Sequence, residues 1–126
     1  MIYCTTWDNI ADVRELYKEW AGNYPLDTWK NSILVVAKDN DKIVGGAQLI
    51  VISDPIWARN WGLIENVYVL KEYRSHGAGE KLMKVLESQA SFLGCKFIKL
   101  TSRKDEGKRL YRSLGYEEGS SFRKEL

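Results

Sequence analysis

The sequence predicts a mixed α/β (α+β) fold, a central sheet of parallel and antiparallel strands with helices on both faces. Three observations carry this. Apolar, β-branched runs of strand length alternate with stretches whose apolar residues recur at helical spacing. A glycine-rich turn joins the fourth such run to a long amphipathic segment, and an early hairpin gives way to strand-helix-strand units.

Residues 2–6 form a short β-prone run, and Asp8 or Asn9 can cap a helix in which Ile10, Val13, Leu16, Tyr17 and Trp20 share a face. Gly22 and Pro25 stop that helix, leaving residues 27–31 room for a turn or two before a second strand over residues 33–37. Asp39, Asn40 and Asp41 form a turn cluster, so residues 42–52, rich in Val, Ile and Leu, return as the second arm of a hairpin. Gly45 and Gly46 inside that arm point to a bulge or to close packing. Residues 53–62, with Pro55, Trp57, Arg59 and Trp61, read as a long aromatic loop before a fourth strand over residues 63–70. A helix over residues 79–93 places Leu82, Val85, Leu86, Ala90 and Leu93 on one face and ends at Gly94. A strand over residues 96–100, a helix over residues 105–114 closed by Gly115, and one or two short strands in residues 116–126 complete the order.

A chain of 126 residues without a break in composition buries one core, so residues 1–126 are expected to form a single domain with a single active site. A hydrophobic fraction of 44% beside 29% charged residues argues against disorder. Met1 leads into Ile2, Tyr3 and Cys4 without the basic start and apolar run of a signal peptide, and no apolar stretch approaches the roughly 20 residues of a bilayer span. A cytoplasmic location without membrane contact is therefore expected. Cys4 and Cys95 show neither C-x-x-C nor Cys/His spacing, so no disulfide framework and no metal site is expected. A net charge of +2 is too small to imply nucleic acid, and the basic run over residues 96–108, interrupted by Asp105 and Glu106, reads as a solvated helix face.

The chemistry-bearing segment is Lys71-Glu72-Tyr73-Arg74-Ser75-His76-Gly77-Ala78-Gly79, which stands between the fourth strand and the long helix. The first turn of a helix has backbone N–H groups without intrahelical partners, and the macrodipole adds about half a positive charge there. Gly77 and Gly79 let the backbone approach an anion and adopt positive φ. Arg74, and Lys81 on the helix, are candidates for added charge. Charge-assisted hydrogen bonds contribute about 1.5 to 3 kcal/mol each, so several converging donors hold a diphosphate without a metal ion. Gly77 and Gly79 alone would equally make a plain strand-to-helix turn. A Walker loop, G-x-x-x-x-G-K-S/T, and a dinucleotide fingerprint, G-x-G-x-x-G after the first strand, are both missing, which disfavours nucleotide hydrolysis and hydride transfer.

Arg74, two residues, Gly77, one residue and Gly79 resemble the signature of the GNAT superfamily of N-acetyltransferases, and they stand where that family has it, after the fourth strand. Leu110-Tyr111-Arg112-Ser113-Leu114-Gly115-Tyr116 is similar to the family's L-Y-x-x-L-G-F segment. The resemblance covers nearly the whole chain, strongly over residues 63–116 and weakly over residues 1–53. It implies a mixed sheet splayed between strands four and five, with acetyl-coenzyme A lying in the gap. Val67, Tyr68 and Val69 would offer backbone groups to the pantetheine arm. Arg74, Ser75, His76, Gly77, Ala78, Gly79 and Glu80 would hold the diphosphate. Many relatives have Asn seven residues before the motif tyrosine. Here that position is Lys104, so the contact is missing or falls to Ser102 or Lys104. The text around residues 100–106 looks like a subgroup that includes small-molecule amine and amino-sugar acetyltransferases.

A lysine-like amine has a pKa of about 10.4 and must lose a proton before attacking a thioester. Glu65 matches a position where several relatives carry a glutamate base, acting directly or through water; the plain alternative is a surface carboxylate. The departing thiolate belongs to a thiol with a pKa of about 8.5, and Tyr111 matches the family's general acid, the alternative being a core aromatic. The backbone N–H of Val67 would steady the oxyanion. His76, the only histidine, is expected to be a solvated turn residue without a catalytic part. Tyr24, Trp29, Trp57 and Trp61 fall in the two loops that flank the acceptor in relatives, and Arg59 would meet an anionic acceptor or else be solvated. The expected function is acetyl-coenzyme A-dependent N-acetylation of a small-molecule amine, with a homodimer suggested by the family. A protein-lysine or N-terminal acetyltransferase and a non-catalytic acyl-coenzyme A-binding module are the alternatives.

Overall fold

The computed structural model of the chain describes residues 1–22, 32–102, 105–119 and 122–126. Strand β1 (Ile2–Trp7) leads through a 3-10 turn (Ile10–Val13) into α1 (Arg14–Ala21). Next come β2 (Ile33–Asp39), β3 (Lys42–Asp54) and β4 (Arg59–Val69). Helix α2 (Ala78–Phe92), β5 (Cys95–Leu100), α3 (Asp105–Ser113), β6 (Glu117–Glu118) and β7 (Phe122–Glu125) complete the chain. The seven strands form one sheet in the order β1-β2-β3-β4-β5-β7-β6. Only β4 and β5 run parallel; every other pair is antiparallel. The predicted mixed sheet is observed.

Side-chain alternation along β2 separates the two layers. Val35 and Ala37 join Val44, Leu49, Ile64 and the α2 residues Leu82, Met83, Leu86 and Ala90 in the larger core. Leu34 and Val36 join Val13, Leu16, Tyr17 and Tyr68 under α1 on the other face. The expected close packing at Gly45 and Gly46 is present on both sides. A Cβ on Gly46 would lie 2.9 Å from Leu16 Cδ2 and 3.0 Å from the Tyr17 hydroxyl, while one on Gly45 would lie 3.3 Å from Leu82 Cδ1. Glycine therefore lets both helices sit directly on β3 and fixes how closely α1 approaches the sheet.

Two readings need correction. The first helix starts as a 3-10 turn, whose cap Asn9 accepts a hydrogen bond from the Ala11 N–H at 3.1 Å, and turns α-helical only at Arg14. The supposed loop over residues 53–62 is mostly strand: Ile52 pairs with Trp61 and Asp54 with Arg59, leaving only residues 55–58 as a turn. The Asp54 carboxylate closes that turn by accepting from the N–H groups of Ile56 and Trp57. Pro55 suggested a break, but it lies just beyond the ladder, where its missing N–H takes nothing from it.

The feature that positions the site is the unequal pairing of β4. On the β5 side, the register runs only from Asn60, opposite Cys95, to Leu63, opposite Lys99. Beyond Leu63 the two strands diverge, and residues 64–69 have no strand partner on that side among the described residues. β4 then feeds a 3-10 turn (Lys71–Tyr73) and the glycine turn, which delivers the N-terminus of α2 to the open end of the split.

Candidate active site

A bulge sits where β4 opens. Gly46 pairs with Tyr68 and Gln48 with Glu65, so two β4 residues, Asn66 and Val67, face one β3 residue, and Asn66 takes a positive φ of 56°. A chain of hydrogen bonds holds this shape. The Tyr17 hydroxyl donates to the Asn66 carbonyl at 2.6 Å, the Asn66 amide to the Gln48 Oε1 at 2.9 Å, and the Gln48 amide to the Ser32 hydroxyl at 3.1 Å. Gln48 is only 5% exposed, and these bonds satisfy both ends of an amide whose burial would otherwise be costly. The motif reading missed this support. Its legible signal was Asn66 itself, a residue that tolerates positive φ inside an apolar strand.

The split opens a cleft of about 920 Å³ lined by residues 64–69, the turn from Tyr73 to Glu80 except His76, Leu100, Thr101, Ser102, Gly107 and the α3 residues Arg109, Leu110 and Tyr111. Trp20 forms one wall, stacked on Tyr68 with centroids 5.2 Å apart and planes within 1°. The sequence placed Trp20 on the apolar face of its helix, and that face meets Tyr68 at the cleft edge. Tyr68 also donates a hydrogen bond to the Glu19 carboxylate. That bond, with help from the Lys71 N–H, holds the Glu19 pKa below its ordinary value.

Gly77 caps α2 in the left-handed region, φ 81°, and Ser75 precedes it at φ 67°. A Cβ on Gly77 would meet no atom within 4 Å, so glycine is required there for backbone conformation. Gly79 has a different reason from the one expected: its φ is not positive, and a Cβ would come within 3.1 Å of Leu110 Cδ2. It brings α2 against α3. Of the two side chains read as phosphate partners, Lys81 is turned away from the turn and Arg74 stays on the cleft wall, anchored through its Nε. Lys81 donates to the Ile2 carbonyl at 2.8 Å, and Arg74 folds its Nε onto the Val69 carbonyl at 3.0 Å with its guanidinium over the Tyr68 ring. Of residues 74–80, His76 alone does not line the cleft, and it is exposed. No side chain plugs the turn, so the free N–H groups of the first turn of α2 face open space, an arrangement that fits the diphosphate of a coenzyme A.

Tyr111 reaches the cleft from α3. It is 6% exposed and wedged edge-on against Tyr116, 6.0 Å away, and Phe122, 5.8 Å away. Burial pushes its pKa up to about 12, which keeps the hydroxyl protonated at any ordinary pH. Room for the ring comes from Gly107, where a Cβ would lie 2.4 Å from the Ser102 hydroxyl and 3.5 Å from Tyr111 Cε2. Glu65 lines the cleft from β4, half-buried and without an ion pair among the described residues. The structure thus brings Glu65, Val67, Tyr68, Val69, Arg74, Ser75, Gly77, Ala78, Gly79, Glu80 and Tyr111 to one cleft. Trp57, Arg59 and Trp61 belong to the β3–β4 hairpin end and are not among the residues that line this cleft. Tyr24, Trp29 and Lys104 lie outside the described residues, and Ser102 is on the cleft wall.

A parallel strand pair that parts over a bulge, with a glycine turn and a helix N-terminus at its mouth, defines the acyltransferase class of mixed-sheet folds. A model of the acetyltransferase (GNAT) family matches residues 3–116, and the chain belongs to that family. It is similar to the uncharacterized N-acetyltransferase YhfO of Bacillus subtilis (strain 168), 26% identical over 93 residues. The match covers 72% of this chain and 62% of the relative, so the chain spans less than two thirds of that protein's length. Among solved structures, the NatC complex bound to Gag peptide and CoA matches with a TM-score of 0.82 at 18% identity over 99% of this chain and 98% of that one. Glucosamine-6-phosphate N-acetyltransferase from Arabidopsis thaliana matches with a TM-score of 0.78 at 18% identity over 94% of this chain and 93% of that one. At those identities the likeness is one of fold.

Proposed function

We propose that the protein transfers the acetyl group of acetyl-coenzyme A to the primary amine of a small molecule. The carrying observation is the cleft itself, where one half-paired strand, one open helix N-terminus and one buried, protonated tyrosine converge. Acetyl-coenzyme A, when bound, supplies an activated acetyl thioester and a thiol leaving group. The N–H groups of Ala78, Gly79 and Glu80 are the donors for its diphosphate. The unpaired edge of residues 64–69 offers backbone hydrogen bonds to an extended arm, as a sheet edge does to an added strand.

The chain's own groups then manage protons. In the net reaction a nitrogen–carbon bond forms, a carbon–sulfur bond breaks, one proton leaves the amine and one reaches the sulfur. Glu65 takes the amine proton, directly or through water, and the Tyr111 hydroxyl holds the proton supplied to sulfur. The bulge removes Val67 from the β3 register, and we assign its N–H to the acyl oxygen.

Two measurements test this. Coenzyme A at 100 times its dissociation constant should stabilise the protein by about 2.7 kcal/mol against thermal unfolding. Thiol release should then depend on an amine, assayed across small amines and short peptides with free N-termini or lysines. Stabilisation without release would make the protein a binder; release with peptides only would move the acceptor to proteins.

A further inference from the structure

The face of the sheet that carries Glu65 continues away from the cleft as a group of cations on aromatic rings. Side chains alternate along β4, so Arg59, Trp61 and Leu63 share the face of Glu65. The register sets Lys99 of β5 beside Leu63, and Arg123 of β7 beside Lys99. Phe97 is the centre of the group: Trp61 stacks on it at 5.6 Å, and Arg123, Arg59 and Lys99 stand 3.8, 4.8 and 5.6 Å from its centroid. Lys99 also lies 5.1 Å from the Trp61 ring.

Three cations gathered on one ring repel one another, and the ring attracts each without neutralising it. Among the described residues only Arg123 has a carboxylate, that of Glu125 at 2.6 Å. Among the described residues Arg59 and Lys99 make no ion pair, and Arg59 Nε is buried without a hydrogen-bond partner. An oxyanion would relieve this repulsion and give the Arg59 and Lys99 donors a charged acceptor. The position matters. Lys99 stands one strand across and two residues along from Glu65, at least about 8 Å between Cα atoms, the value for regular strand spacing before the two strands part.

We propose that this group is an oxyanion subsite of the acceptor: the substrate carries a phosphate or carboxylate remote from its reacting amine, received by Lys99 and Arg59 while the amine lies at Glu65. The proposal rests on the acetyl-transfer reading above. It also gives the Arg59–Leu63 part of β4, which does not line the cleft, a part in choosing the substrate.

The test compares kcat/KM for ω-aminoalkyl phosphates and ω-amino acids of graded chain length with that for the matching neutral amino alcohols. The phosphate and carboxylate arms identify which oxyanion is taken. The expected result is a preference for one anionic series of about tenfold or more, the scale of one charge-assisted hydrogen bond. That ratio should fall toward unity in Lys99→Gln and Arg59→Gln and recover in Arg59→Lys. Equal rates on charged and neutral amines, or a preference that Lys99→Gln leaves intact, overturns the proposal. If no amine is acetylated, the transfer reading fails, and calorimetric titration with inorganic phosphate decides the subsite alone. Binding by the wild type that Lys99→Gln abolishes supports it, and no binding by the wild type overturns it.

Discussion

The two halves of β4 differ in pairing more than in composition. From Asn60 to Leu63 the strand runs between two neighbours, β3 and β5, and its small residue is packed tight: a Cβ on Gly62 would lie 3.0 Å from Leu49 Cδ1. From residue 64 to residue 69 it has a partner on one side only, contains a bulge and lines the cleft. Backbone hydrogen-bonding groups left unpaired are costly unless something occupies them. The second half is therefore a binding edge, and the first half is the anchor that keeps the edge from closing.

The largest effect that separates the two halves belongs to Tyr111, which faces the open one. Tyr111→Phe is expected to lower kcat about a hundredfold or more while the dissociation constant for coenzyme A, measured calorimetrically, stays put. Loss of binding together with turnover would mean that the ring only packs the core. A smaller deficit, about tenfold at pH 6.5, is expected for Glu65→Gln. It should shrink as pH rises toward the amine pKa of about 10.4, because the acceptor then deprotonates without help. A pH-rate profile parallel to that of the wild type would remove Glu65 from the mechanism.

In the anchored half the expected loss is of stability instead. Gly62→Ala should cost about 1 to 3 kcal/mol through overpacking against Leu49 and Ile98, with kcat per folded molecule retained. Urea unfolding and active-site titration check both parts. The smallest effect is one of pH. Burial raises the Tyr111 pKa from 10.0 to about 12 in the folded state, so its contribution is complete below pH 10 and is lost as pH climbs toward 12. One group should therefore cost about 1 kcal/mol by pH 11, with Tyr17 and Tyr116, also raised by burial, adding to the slope. The same scan on Tyr111→Phe should be shallower.

Much of this architecture was legible because periodicity and turn chemistry are local. The strands over residues 33–37 and 42–52, the helix over residues 79–93 and the glycine turn follow from side-chain patterns that neighbours in space reinforced. The split and the turn came from a motif whose glycines have physical jobs, although Gly79 turned out to serve helix packing and not φ. What escaped was non-local. The hairpin arms around residues 55–58 are strand because they pair with each other, a fact no single window contains. Lys81 looked free for phosphate until the fold supplied the Ile2 carbonyl, and the anchoring of Arg74 Nε on the Val69 carbonyl was equally out of view. The bond from Tyr17 to the bulge joins residues 49 apart in the chain. Arg59 and Trp61 were assigned to a loop, where the structure has them in β4, beyond the turn that holds Trp57.

Amide hydrogen exchange across β4, with and without coenzyme A, tests the central division most directly. Residues 64–69, together with 77–80, should gain strong protection when the ligand is added, while residues 60–63, already held between β3 and β5, should exchange slowly in both states. If coenzyme A binds and leaves residues 64–69 exchanging as before, the open half of the strand is not where the carrier lies.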